Sequence, residues 1–101
     1  MEVSRVLVVK AGGRALEQNL DGILRSLAER AAKGVEIVFV HGGGDVVSRY
    51  ERLMGMEPKF VTSPQGIRSR YTDEKELEVY VMVMAGKLNK EIVSRLQSMG
   101  V

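Results

Sequence analysis

Cysteine is absent from the 101 residues, and histidine occurs once, at His41. The first absence removes disulfides and thiolate metal sites, the second removes any histidine-pair metal site, and neither decides the compartment. Long apolar runs are missing too. The run that follows Met1–Arg5, Val6 to Val9, is too short for a membrane span or a signal-peptide core, and an acid precedes it at Glu2. A cytosolic protein with no membrane attachment is therefore expected. The net charge of only +2 gives no case for nucleic acid. Two nucleotide-binding fingerprints are also lacking: there is no G-x-x-x-x-G-K-S/T, and no G-x-G-x-x-G follows a strand. That disfavours a P-loop enzyme or a dinucleotide oxidoreductase. What remains, with 45% hydrophobic and 28% charged residues, has the composition of a globular domain of ordinary size.

Periodicity orders the elements. Val6–Val9 is β-branched and does not alternate, the pattern of a strand buried on both faces of a parallel sheet. Leu20, Ile23, Leu24, Leu27, Ala28 and Ala31 recur at three- and four-residue steps, which predicts a helix over about 20–32, stopped at Gly34. Val35–Val40 reads as a second buried strand, and 45–54 as a helix closing near Gly55. Lys59–Val61 is a short extended piece leading into the loop 62–66. Asp73 and Glu76 have capping-box spacing ahead of a helix with Leu77, Val81 and Met84 on one side. Gly86 is expected to bend or break that helix before Leu88, Ile92, Val93 and Leu96 continue it. Strands alternating with helices imply a parallel sheet. Two or three such strands leave open edges, and the chain stops where another strand is expected, so it reads as a fragment.

Two glycine turns carry the chemistry. Lys10-Ala-Gly12-Gly13 and His41-Gly42-Gly43-Gly44 each directly follow a strand. In an open parallel sheet, ligands bind beyond the carboxyl ends of the strands. Glycine there lets backbone amides approach a ligand closely, and successive amides at a helix start form an anion site. Lys10 adds a full charge at the same place. Strand-end glycines can also simply turn the chain, but two such turns, one preceded by lysine, favour phosphoryl chemistry.

The segment 58–72 contains Lys59, Arg68 and Arg70 and no acid. Arg70 lies just before the cap at Asp73, where its planar fork could hold an acceptor carboxylate, or could simply belong to a solvated basic loop. His41 reads as a loop-orienting residue, Asp45 as a helix cap in preference to a partner of Lys10, and Asn89-Lys90 as helix surface. Met54, Met56, Met82 and Met84 read as core or interface filler, and 74–78 as a solvated face.

Val-Val-Lys10-Ala-Gly12-Gly13, Val40-His41-Gly42-Gly43-Gly44, Arg70-Tyr-Thr-Asp73 and Met84-Ala-Gly86-Lys-Leu-Asn89-Lys90 together resemble the amino-acid kinase family, the acetylglutamate kinase branch in particular. The stretch Phe60–Asp73 is similar to that of archaeal-type kinases acting on 2-aminoadipate or glutamate whose amino group is held by a small acidic carrier protein. The resemblance implies a three-layer α/β/α fold with a mainly parallel sheet, of which residues 1–101 form the N-terminal, acceptor-binding portion and the ATP-binding part is absent. It implies a phosphotransferase using ATP and Mg2+, forming an acyl phosphate on a side-chain carboxylate in lysine or arginine biosynthesis. Lys10 would be catalytic, Gly12, Gly13 and Gly42 would bind phosphate, and Gly43, Gly44 and Arg70 would bind the acceptor. The implied partners are the acidic amino-group carrier protein and further copies of the enzyme, with no nucleic acid or membrane. Acetylglutamate as acceptor, or a non-catalytic carrier-binding module, are the alternatives.

Overall fold

The computed structural model describes residues 5–101; Met1–Ser4, part of the stretch that argues against a leader, lie outside them. The chain runs β1 (Val6–Ala11), α1 (Gly13–Ala32), β2 (Glu36–His41), α2 (Gly44–Leu53), β3 (Phe60–Thr62), β4 (Arg68–Arg70) and α3 (Glu74–Val81). A π-helical segment, Met82–Leu88, then leads into α4 (Asn89–Ser98). β1 and β2 pair in parallel from Val6 opposite Glu36 to Ala11 opposite His41, and β3 and β4 form an antiparallel hairpin. The α/β architecture with a parallel sheet is the one expected. No helix among the described residues is long and apolar enough to cross a membrane.

Side chains alternate along a strand, and in this register Val9, Ile37 and Phe39 share the face of Ala11. That face packs on Leu16, Leu24 and Leu27 of α1 and on Ile92 and Leu96 of α4, forming one core cluster. The opposite face carries Val8, Lys10, Val38 and Val40. Val8 is 65% and Val38 49% exposed. Burial on both faces, expected from the unbroken β-branched run, is therefore not found: among the described residues the covering helices lie on one face only. A second cluster joins Val46 and Val47 of α2, Val79 of α3 and Val83 of the π-helical segment, with Met84 and Leu88 against it.

The ends of several elements differ from expectation for identifiable reasons. α1 begins at Gly13, with one non-helical residue inside it, Asn19 (φ −155°, ψ 51°). Its first turns contain a single buried residue, Leu16, too few to show a period. β4 reads Arg-Ser-Arg, with no apolar residue to mark a strand; pairing with Phe60–Thr62 makes it one. Gly86 does not break the chain. Its hydrogen-bonding register loosens to the wider π turn and the helix continues. The capping box is present: the Glu76 amide donates to Asp73 Oδ1 at 2.9 Å, and the Asp73 amide donates to the Glu76 carboxylate at 3.4 Å. Glu76 is buried, so the 74–78 face is not wholly solvated, while Met54 and Met82 are exposed rather than core.

Leu24 has no exposed surface and sits at the centre of the first cluster. Replacing it with alanine should cost about 2–5 kcal/mol of unfolding free energy, read by urea denaturation followed by circular dichroism.

Candidate phosphate and acceptor site

The parallel register brings the carboxyl ends of β1 and β2 side by side, so the two glycine turns meet. They meet through their main chains. A Cβ on Gly13 would stand 3.0 Å from Gly43 Cα and 3.2 Å from its nitrogen, and a Cβ on Gly42 would stand 3.2 Å from the Gly13 nitrogen. Neither turn could carry a side chain at these positions without being pushed away from the other. Gly43 adds a conformational demand, with φ +145°, and a Cβ there would land on Leu88 Cδ1. Gly12 is exposed and Gly44 opens α2.

Both helices that leave these turns start without a side-chain cap: Gly12 precedes α1 and Gly43 precedes α2, and neither can supply one. The contrast with the boxed start of α3 is direct. The first amides of a helix have no intrahelical acceptor, and the helix dipole places partial positive charge beside them. Two uncapped helix starts at one point form a concentration of anion-seeking donors. Asp45 lies in the first turn of α2 but does not cap it, contrary to the sequence reading, because the cap position is Gly43. A cavity of ≈ 500 Å³ opens on the same turns, with Gly13, Gly42 and Gly43 at one end and Arg49, Lys87 and Glu91 farther along its wall.

Lys10 stands outside that cavity. It pairs in register with Val40, is exposed, and makes no hydrogen bond or ion pair among the described residues. His41 holds the turn, as its sequence reading has it. Its Nδ1 is 3.0 Å from the Gly42 carbonyl oxygen, and its Nε2 is 3.5 Å from Asn89 Nδ2, a pair of partners that fits the proton on Nδ1. Asn89 thus reaches the strand end rather than lying idle on the helix surface. Lys90 Nζ donates instead to the Ala85 carbonyl and to Asn89 Oδ1.

Arg70 is brought to the turn as well, but it is not a solvated loop residue. Its side chain is 12% exposed. Nη2 donates to the Gly44 carbonyl at 2.8 Å and to Ser48 Oγ at 2.7 Å, while Nη1 faces the wholly buried carboxylate of Glu51 at 3.3 and 3.4 Å. The ring of Phe60 lies 5.0 Å from the Arg70 guanidinium and 3.8 Å from that of Arg68. Composition and motifs do not single out Glu51 and Ser48. A signal exists all the same: Gly44, Ser48 and Glu51 follow one another at four- and three-residue steps, and so share one face of α2. Burial pushes the Glu51 carboxyl above its ordinary range; Arg70 opposes the shift, while the negative charges of Glu76 and Asp73 add to it. Asp73 moves the other way, mainly because the Glu76 amide donates to it, with Lys59 at 3.7 Å contributing.

The family description that fits this arrangement is "Amino acid kinase family", which matches residues 5–101. The chain belongs to the amino acid kinase family. A protein of Ignicoccus hospitalis is 57% identical over 95 residues, covering 94% of this chain. The LysW-aminoadipate/LysW-glutamate kinases of Sulfurisphaera tokodaii and Metallosphaera sedula are 53% and 52% identical, covering 90% and 94% of the chain. The chain spans about a third of the length of these curated relatives (34%, 33% and 35%). Among solved structures, smu.665 from Streptococcus mutans superposes with a TM-score of 0.78 at 22% identity, over 95% of this chain and 37% of that one, a likeness of fold. In this amino acid kinase chain the turns, the uncapped helix starts and Arg70 are thus gathered around Gly43-Gly44.

Gly43→Ala should destabilise the protein by on the order of 1–3 kcal/mol from backbone strain, with the Leu88 clash added. Adding Leu88→Ala should relieve the clash and leave the backbone part, which a thermal-melt comparison of the single and double variants reads. The two carboxyl shifts give opposite slopes with pH. Folded Glu51 holds its proton longer than the unfolded chain does, so its contribution to stability declines as pH rises above 4.5. Asp73 contributes stability above 3.8 and loses it as pH falls through its lowered folded value. Urea unfolding between about pH 4 and pH 7 should therefore show wild type losing stability relative to Glu51→Gln as pH increases.

Proposed function

We propose that this chain is the acceptor-binding part of an enzyme that transfers the γ-phosphoryl group of ATP to the side-chain carboxylate of 2-aminoadipate or glutamate held on an acidic carrier protein, in lysine or arginine biosynthesis in the cytoplasm. The observation that carries the reading is the close main-chain approach of Gly13 and Gly43, which brings two uncapped helix starts side by side. The names of the Sulfurisphaera and Metallosphaera relatives support the acceptor. The hairpin supports the partner: residues 58–72 contain no acid, and Lys59 and Arg68 are exposed there, whereas Arg70 is turned inward onto Glu51. Such a surface steers an acidic protein toward the site.

In the step itself, a carboxylate oxygen of the acceptor attacks the γ-phosphorus, the new C–O–P bond forms, and the bond from that phosphorus to the β,γ-bridging oxygen breaks. The bridging oxygen keeps the electron pair and ADP departs. Protein residues contribute position and charge in such a transfer. Amides at Gly12 and Gly13 would receive phosphate oxygens, and Gly43, Gly44 and Arg70 would orient the acceptor. The Gly42 amide, expected from the sequence to join the phosphate donors, instead donates to the Ala11 carbonyl at 2.9 Å, so Gly42 serves the close approach of the two turns. Lys10, exposed and without a partner among the described residues, is free to meet the negative charge of the moving phosphoryl group. Adenine would be bound by the part of the enzyme beyond this chain. Magnesium would add positive charge at the phosphates; among the described residues there is no group of three or more His, Cys, Asp or Glu that could hold a metal ion.

The test uses the full-length enzyme with ATP and carrier-linked glutamate or aminoadipate, trapping acyl phosphate with hydroxylamine. Hydroxamate should form on the carrier-linked substrate. Product with free acetylglutamate alone would overturn the carrier reading. Lys10→Ala should lower kcat by about 100-fold or more while changing the acceptor KM little, because the charge it meets develops during transfer. A raised KM with unchanged kcat would make Lys10 a ground-state binding residue instead.

A further inference from the structure

A guanidinium has five N–H donors: two on each terminal nitrogen and one on Nε. The terminal nitrogens of Arg70 are already engaged. Nη1 faces both oxygens of Glu51, and Nη2 is shared between the Gly44 carbonyl and Ser48 Oγ. Nε has no protein partner among the described residues. The fork that the sequence offers to an acceptor carboxylate is thus filled from inside the protein. All three partners come from α2, at Gly44, Ser48 and Glu51, on one helix face.

We infer that Glu51 and Ser48 are positioning residues for the acceptor: they fix the plane of the Arg70 guanidinium against Gly44 and leave Nε–H as the donor Arg70 offers to the acceptor. The inference rests on the proposed function, since it presumes that Arg70 meets the acceptor. Three features support it. Glu51 is wholly buried and its carboxylate has Arg70 as its cation, so displacing that fork would strand a buried charge. The Nη2 bonds, at 2.8 and 2.7 Å, are short, so the anchoring at Gly44 and Ser48 is well formed. The Gly44 carbonyl that Arg70 grips belongs to the glycine turn, so the same contacts that set the arginine also hold β4 to the phosphate-side main chain. An arginine free to swing could meet a carboxylate in many ways; one clamped on three residues presents a single edge.

The readout is a split of kinetic constants on the full-length enzyme. Glu51→Gln keeps the shape of the side chain but removes its charge. It should raise the acceptor KM by about 10-fold or more, leaving kcat and the KM for ATP within about threefold of wild type. Ser48→Ala should act the same way by about two- to tenfold. Because both residues are held to act through Arg70, the effects of Glu51→Gln and Arg70→Lys on acceptor KM should be less than additive in the double variant. A merely structural role would move melting temperature without this split. An unchanged acceptor KM in both single variants, or full additivity in the cycle, overturns the inference while leaving the proposed function standing. If Glu51→Gln fails to fold, Ser48→Ala with its own cycle against Arg70→Lys decides the matter. If wild type phosphorylates acetylglutamate instead, the same split is read on that acceptor. A wild type with no carboxylate kinase activity overturns both.

Discussion

Two backbone turns touching without a side chain between them set the rest of this structure. Gly13 against Gly43 is a contact that only glycines at this spacing permit, since a methyl group on Gly13 would stand 3.0 Å from the facing Cα. Because the turns end adjacent parallel strands, the contact also fixes how α1 and α2 leave the sheet. Both helices start next to it, and both start uncapped. A capping side chain at either place would satisfy amides that a ligand could otherwise use, so the absence of caps and the nearness of the turns are one feature seen twice. The start of α3, which follows neither glycine turn and is capped, is the internal control.

The second constraint ties the hairpin to this point. Without Arg70, β3 and β4 would be a three-residue-per-strand hairpin with mostly exposed residues, marginal in isolation. The clamp on Gly44, Ser48 and Glu51 gives it a fixed place on α2. A buried ion pair is weak support for stability in general, because desolvation offsets much of the attraction. Its use here is better understood as geometric. The raised Glu51 carboxyl and the lowered Asp73 carboxyl share a neighbourhood yet shift oppositely, because one answers mainly to burial and the other mainly to an amide donor.

Much of this is legible in the sequence where a period or a cap has enough residues to register. Leu20–Ala31 shows its helix by spacing, Asp73 and Glu76 show their box, and the two glycine turns stand at the ends of β-branched runs. What stays hidden has physical causes. A strand of Arg-Ser-Arg is stabilised by its partner strand, which periodicity cannot see. The six residues Gly13–Gln18 become helical through tertiary context with one buried leucine among them. The β-branched runs record strong strand propensity, but propensity does not say whether a helix covers the second face. Glu51 escapes notice because an acid in a helix resembles surface until an arginine 19 positions later is folded onto it. Arg70 is visible in the sequence, but its fork reads as a ligand's until the protein's own carboxylate comes into view.

Alternation along β1 puts Lys10 and Ala11 on opposite faces, and this separates two kinds of charge at the strand end. Ala11 faces the helices, in the core that leads to the glycine turn; Lys10 faces the open side with Val8, Val38 and Val40. An amide is a fixed donor whose direction is set by the turn, whereas a lysine ammonium is a mobile charge on a four-carbon stem. Fixed donors suit groups that stay put, and a mobile charge suits one that moves. A phosphoryl group passing between two oxygens needs both, from different directions, and a strand end is a place where a side chain from one face and main-chain amides beyond the tip can converge. On that geometry the exposure of Lys10 and its lack of a partner among the described residues suit the proposed transfer. A lysine locked into an ion pair would have to break it at the moment charge develops.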